Sequence, residues 1–185
     1  MVKTPSNMLP LGTIAPPFTL LEPLADKERS LQELRGEKAT VIMFICNHCP
    51  YVKHVDDQLV AIAKDYQDKG IAFIAISSND VENYPADAPE KMAEEATRLS
   101  YPFPYLYDET QDVAKAYQAA CTPDFYLFDS ALACVYRGQL DDSRPNTGIP
   151  LTGKDLRSAI DAVMEGKLPH PDQTPSIGCN IKWKA

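Results

Sequence analysis

Cys46 and Cys49 stand three residues apart, with His48 between them and Pro50 directly behind. Proline is favoured at the first position of a helix, where its missing N–H would have had no partner. Pro50 therefore predicts a helix start, with Cys49 at the N-cap and Cys46 upstream in the approach loop. A thiolate at a helix N-terminus is stabilised by the helix dipole and by open amides, which draws its pKa below the usual ~8.5. A protonated His48 would add to that pull. Thiol–disulfide exchange and peroxide reduction both need such a thiolate, and then a second thiol to resolve the intermediate. Cys46 is the nearest resolving partner. Two other uses of these residues compete. They could be buried apolar thiols, or Cys46, His48 and Cys49 could bind zinc with His54, His170 or Cys179 as fourth ligand. Zinc ribbons and fingers usually show two ligand pairs, and the chain has a single Cys-x-x-Cys. The expectation is thus a redox dithiol, with no metal and no organic cofactor.

The elements around the pair can be read from periodicity. Val41–Ile45 is a continuous apolar run with β-branched residues, which predicts a buried central strand. Beyond Pro50, apolar residues recur at Val52, Val55, Leu59, Ile62 and Tyr66, one face of an amphipathic helix. Lys69-Gly70 closes it with a cation and a C-cap glycine. Ile71–Ile76 is a second buried run, so the three elements form a βαβ unit with a parallel strand pair. Residues 77–88 read as a loop and Pro89–Ser100 as a helix. Tyr101–Tyr107 is at most a short extended segment. Asp112–Ala119 reads as a helix with Val113, Ala116 and Tyr117 inward. Phe125–Phe128 and Leu132–Tyr136, joined by a polar turn, make an antiparallel hairpin. A polar loop follows, residues 137–153, and then a last helix carrying Leu156, Ile160 and Val163 up to Gly166. Towards the N-terminus, Leu11–Leu20 reads as a turn leading into a short strand whose two prolines favour an edge position. Ser30–Leu34 reads as a short helix with a capping box. Lys167–Ala185 is a proline-rich tail without clear periodicity.

Composition narrows the classes. At 185 residues the chain fits one domain, 1–185, with 44% hydrophobic residues and a net charge of −8. That charge argues against nucleic acid or an anionic membrane as partner. No apolar run approaches a membrane span or a signal-peptide core, so the cytoplasm is the expected compartment. Five cysteines are an odd number for a disulfide framework and favour redox-active or buried thiols.

The cysteine pair at a strand–helix junction, the βαβ unit, and Thr122-Pro123 leading into a hairpin and closing helix resemble the thioredoxin-fold superfamily. Gly12-Thr13-Ile14-Ala15-Pro16-Pro17-Phe18-Thr19-Leu20 resembles the opening of its redoxin branch, which includes alkyl hydroperoxide reductase and thiol-specific antioxidant proteins. Cys46–Lys53, Asp141–Pro145 and Pro175–Lys184 are similar to a bacterial group labelled thioredoxin-family or peroxiredoxin-like. The resemblance implies an α/β thioredoxin fold: a mixed central sheet flanked by helices, with an N-terminal redoxin-type extension, an insertion and a C-terminal tail. It also implies a cis-proline at Pro123, packed against the cysteines.

Two departures bear on the chemistry. A gapless register with thioredoxins, keeping Phe44 and Tyr66–Lys69 aligned, puts their first, nucleophilic cysteine on Cys49 and their second on Val52. Cys46 then stands where a peroxiredoxin has the threonine of Thr-x-x-Cys, and Thr122-Pro123 stands where it has an arginine. Arg137 or Arg144 would have to replace that arginine. The buried acid that thioredoxins keep near their cysteines has no counterpart between Ala39 and Ile45, so it is absent or supplied from elsewhere.

The expected function is thiol–disulfide oxidoreduction through a Cys46–Cys49 disulfide. Cys49 would attack, Cys46 resolve and His48 modulate the thiolate. Thr122, Pro123, Pro50, Tyr51 and Arg144 are the candidate substrate-binding residues. Substrates would be protein or small-thiol disulfides, with a dithiol as electron donor. The alternatives are a peroxiredoxin-like peroxidase with Cys49 as peroxidatic thiol, and a non-catalytic redox-sensing or partner-binding module. Cys121 and Cys179 are candidates for further redox roles. Cys121 is otherwise a buried thiol near the site, and Cys179 an exposed spectator unless the tail folds over the site. Cys134 is expected in the core, and Lys53 and His54 on the surface.

Overall fold

The computed structural model describes residues 3–185, and the central apolar run becomes the strand on which the sheet is built. In chain order the strands are β1 (Lys3–Pro5), β2 (Thr19–Glu22), β3 (Lys27–Ser30), β4 (Ala39–Phe44), β5 (Ile71–Ser77), β6 (Tyr105–Tyr107), β7 (Cys121–Thr122), β8 (Asp124–Asp129), β9 (Cys134–Gly138) and β10 (Ile177–Asn180). The helices are α1 (Leu31–Leu34), α2 (Pro50–Tyr66), α3 (Pro89–Arg98), α4 (Asp112–Ala116) and α5 (Lys154–Met164).

Seven strands form a mixed sheet in the order β3-β2-β6-β5-β4-β8-β9. β4 and β5 run parallel, from Ala39↔Ile71 to Phe44↔Ile76, as a βαβ crossover requires. β8 returns antiparallel on the other side of β4 and pairs with β9 as the expected hairpin. Side chains alternate between two cores. Val41, Met43 and Ile45 face α2 and α5, whereas Ile42 and Phe44 face the layer holding Leu31, Ala114 and Tyr117. All five of the periodic α2 residues are buried against the first core. Full burial of a side chain such as Leu59 or Ile62 contributes roughly 1.5–3 kcal/mol, so the helix is held by its face. Residues 67–69 tighten to a 3-10 turn, and Gly70 takes the left-handed conformation at φ +88° that ends it.

Three expectations need correction. β2 is not an edge strand: it pairs with both β3 and β6, because Pro16 and Pro17 lie ahead of its first ladder residue and remove no donor from it. Ala116 is exposed and Ala114 takes its inward place, since α4 ends at Ala116. The tail is not irregular throughout. β10 lies antiparallel between β1 and β7 in a second, three-stranded sheet, and Cys179, expected to be exposed unless the tail covered the site, is buried.

Candidate active site

β4 delivers the chain to the dithiol loop, and the Ile45 amide, bonded to the Ile76 carbonyl at 3.0 Å, prolongs the parallel ladder by one step. Pro50 is the first residue of α2 and Cys49 its N-cap, as Pro50 predicts. The loop between the cysteines is anchored by an acid from the segment before α3. Asp87 is completely buried; its Oδ1 accepts from the Asn47 amide (2.8 Å) and the His48 amide (3.3 Å). Its Oδ2 meets His48 Nδ1 at 2.6 Å and accepts from Asn79 Nδ2 at 2.8 Å. Burial disfavours the Asp87 charge, yet the hydrogen bonds from His48 and Asn79 hold the carboxyl below its ordinary range. An ionised carboxylate only accepts, so Nδ1 carries a proton towards it. The His48 ring also stacks on Tyr84, 5.5 Å between centroids, and its Nε2 is buried with no hydrogen-bond partner among the described residues. Asn47 is further fixed by the Ala86 carbonyl (2.9 Å) and the Tyr105 hydroxyl (3.0 Å).

Three thiols meet above this loop. Cys46, Cys49 and Cys179 are 2%, 0% and 3% exposed, and no disulfide joins any of the five cysteines. As a thiol, Cys49 donates to the Thr122 carbonyl at 3.3 Å. As a thiolate it is favoured first by the Cys179 thiol, next by that of Cys46, and further by the Val52 and Cys179 amides; these outweigh burial and hold it far below the ordinary thiol range. The two neighbouring thiols are shifted the other way. Cys46 is raised by its hydrogen bond to Cys49, by burial and by the Asp87 charge, while Cys179 is raised by Cys49 and by burial. Thr122 links them, since Cys49 meets its carbonyl and Cys179 pairs with it across β7 and β10. Cys46 Sγ also lies 3.4 Å from Thr122 Oγ1.

The Thr122–Pro123 peptide is cis, as the resemblance implies. Thr122 touches both dithiol residues, and Tyr51, Pro123 and Arg144 line one shallow cavity of about 20 Å³. Pro50 is exposed at the helix tip. Both candidate arginines are engaged by other groups. Arg137 spends Nε on the Leu9 carbonyl and Nη1 on Gln173, and Arg144 binds the Asp141 and Ser143 carbonyls and Gln139 Oε1. Cys121 is fully buried on the neighbouring strand position, where burial pushes its thiol up, and Cys134 is core, also raised by burial. His54 bonds Ser143 at 2.6 Å, while His170 lines a separate cavity with Asp155 and Asp172.

One ring nitrogen of His48, one Asp87 oxygen and Cys46 Sγ lie within 4.8 Å of one another. A metal could be offered these three atoms, but both Asp87 oxygens are already filled by four donors. The arrangement sets the His48 ring and the Asp87 carboxylate beside Cys46. Asp87, Asn79, Tyr84 and Tyr105 carry no sequence signal: each reaches the loop from a distant segment without periodicity. Only the missing acid near β4 pointed to a carboxylate arriving from elsewhere.

The sheet, its flanking helices and the thiols at the strand–helix junction define a thioredoxin-fold protein of the redoxin branch. Over residues 11–136 the chain matches the AhpC/TSA family, and it belongs to that family. Members are typically thiol oxidoreductases or peroxidases, which suggests thiol-based redox activity. Among solved structures, an uncharacterized conserved protein from Geobacillus kaustophilus is 61% identical with a TM-score of 0.98, covering 100% of this chain and 97% of its own. A hypothetical protein from Sinorhizobium meliloti is 46% identical with a TM-score of 0.96, over 98% and 99%. The thioredoxin domain of a thiol-disulfide oxidoreductase from Bacteroides vulgatus shares the fold at 19% identity and a TM-score of 0.60, over 75% and 91%. No curated protein matches the chain.

Proposed function

We propose that the protein is a thiol–disulfide oxidoreductase that cycles a Cys46–Cys49 disulfide, with Cys49 as attacking thiolate and Cys46 as resolver. The observation that carries this reading is the placement of the pair: Cys49 caps the first turn of α2 directly ahead of Pro50, whereas Cys46 lies outside the helix with its sulfur 3.4 Å from Thr122 Oγ1. Cys49 attacks one sulfur of a substrate disulfide, forming a mixed disulfide and releasing a thiolate. Cys46 gives up its proton, attacks Cys49 Sγ and expels the second substrate thiolate. We assign that proton to the His48–Asp87 pair, which stands beside Cys46. A dithiol donor then reduces the pair, and the cycle needs no metal or organic cofactor.

A peroxidase reading keeps the same thiolate, and it would draw on Arg137 or Arg144, whose donors described above are bonded to other groups. The sulfurs are recessed, which favours a small disulfide as first electrophile. The test follows reduction of oxidised glutathione and of insulin beside consumption of hydrogen peroxide, with a dithiol as reductant. Disulfide turnover lost in Cys49→Ser supports the reading. Peroxide turnover without disulfide turnover moves the protein to the peroxidase class. If neither occurs, the enzymatic reading fails.

A further inference from the structure

The C-terminal strand carries more than a structural role. β10 pairs with β7 in the register Cys179↔Thr122, directly ahead of Pro123, and so lays Cys179 beside the dithiol. The fit is close at the preceding residue: a Cβ on Gly178 would collide with the Thr122 carbonyl, so only glycine lets the strand come this near. Hydrogen bonds fix the tail on both sides of the cysteine. Ser176 Oγ donates to the Pro123 carbonyl at 2.6 Å, and its carbonyl accepts from the Ser6 amide at 2.8 Å. Beyond the strand, the Ile181 amide donates to the Ala120 carbonyl, the Lys182 amide to Asn79 Oδ1, and the Lys182 carbonyl accepts from the Asp80 amide and Gln111 Nε2. Thr122, the residue opposite Cys179, also accepts from Cys49 Sγ at 3.3 Å and lies 3.4 Å from Cys46 Sγ, so the strand pairing brings the third thiol to the residue that touches both others.

We infer that Cys179 is a third redox thiol, which forms a Cys49–Cys179 disulfide and bolts the C-terminal strand over the site. The inference rests on Cys49 being the attacking thiolate, as proposed above. With a small-molecule disulfide as oxidant, Cys49 takes one half of it and releases the other as thiolate. Cys179 loses its proton and attacks Cys49 Sγ, and the second half leaves. Two electrons pass from the two protein thiols to the small disulfide, which ends as two thiols. Cys46 can then attack Cys49 Sγ, forming Cys46–Cys49 and expelling Cys179 as thiolate with no net change in electrons. Cys179 thus sits where a substrate cysteine would sit in a mixed disulfide with Cys49. The ammonium of Lys182, three residues on, favours the expelled thiolate.

The full-length Cys46→Ser chain is oxidised with glutathione disulfide and its cysteine linkages are mapped by mass spectrometry. The expected product joins the Cys49 and Cys179 peptides after a transient glutathione adduct at Cys49. A lasting adduct at Cys49, with Cys179 still open to alkylation after unfolding, overturns the inference. Gly178→Val displaces the strand yet keeps the thiol, and should form the same bond roughly tenfold more slowly, since proximity is lost; an unchanged rate also overturns it. The unsubstituted chain, quenched during oxidation, is mapped as well: Cys49–Cys179 is expected to precede Cys46–Cys49, and its absence at every time point contradicts the inference. Cys179→Ser separates the two proposals. If it still forms Cys46–Cys49, the oxidoreductase reading stands whatever the fate of Cys179.

Discussion

At Cys49 the helix end alone lowers the thiol pKa only modestly. A helix terminus typically contributes 0.3–1 kcal/mol, rarely ~2, and one pKa unit corresponds to about 1.4 kcal/mol, so the dipole supplies on the order of one unit. Hydrogen bonds to a charged acceptor contribute about 1.5–3 kcal/mol each, and the Cys179 and Cys46 thiols are the two largest of these influences. Cys179→Ala should therefore raise the Cys49 midpoint by roughly one to two units. Titration of thiolate ultraviolet absorbance measures it, and an unmoved midpoint would show that the tail thiol is not a donor. The second expectation concerns Cys46. Asp87→Asn keeps the shape but removes the charge that orients His48, so resolution of a glutathione adduct at Cys49 in a Cys179→Ser background should slow by on the order of 10²-fold. The effect should appear in the pH profile of resolution and leave the attack step unchanged. A parallel loss in both steps would mean that Asp87 merely holds the loop.

Among the elements, α2 was the most legible in advance. Its face, Val52 to Tyr66, needs only local periodicity, and the same helix places Cys49 through Pro50. Leu59→Ala, at a position 1% exposed, should cost about 2–5 kcal/mol in a denaturant melt. The acid anchor was not legible, because Asp87 lies forty residues from the loop it binds. β10 was equally hidden: its partner β7 is two residues long, and no pattern in Ile177–Asn180 announces a strand. The edge position expected for Leu11–Leu20 fails for another reason: Pro16 and Pro17 precede the strand, which begins at Thr19. On the sheet face away from the dithiol, β8 contributes a carboxyl inside the second core. Asp124 is fully buried beside Ser6 and Tyr126, and burial raises its pKa to about 7. Its folded value lies above the ordinary ~3.9, so the fold favours the protonated form. The stability this lends is complete below about pH 4 and is lost as the pH climbs to about 7. Asp124→Asn should melt like its parent at low pH and above it at pH 8; identical melting curves at both would contradict this.

Across the whole molecule the chemistry is assembled from both ends of the chain. The βαβ unit supplies the dithiol, the segment before α3 supplies the acid, and the last strand supplies a third sulfur, all at the C-terminal edge of β4. The AhpC/TSA match ends at residue 136, so the tail thiol lies outside the segment that defines the family. In the proposed cycle Cys49, rather than Cys46, attacks. The decisive chain is Cys46→Ser/Cys179→Ser, which retains the attacking thiol and neither neighbour. After reaction with glutathione disulfide, peptide mapping should find one stable adduct, on Cys49, and the Cys49→Ser chain should give none on Cys46. An adduct on Cys46 in the latter chain, formed as fast as that on Cys49 in the former, would contradict the account.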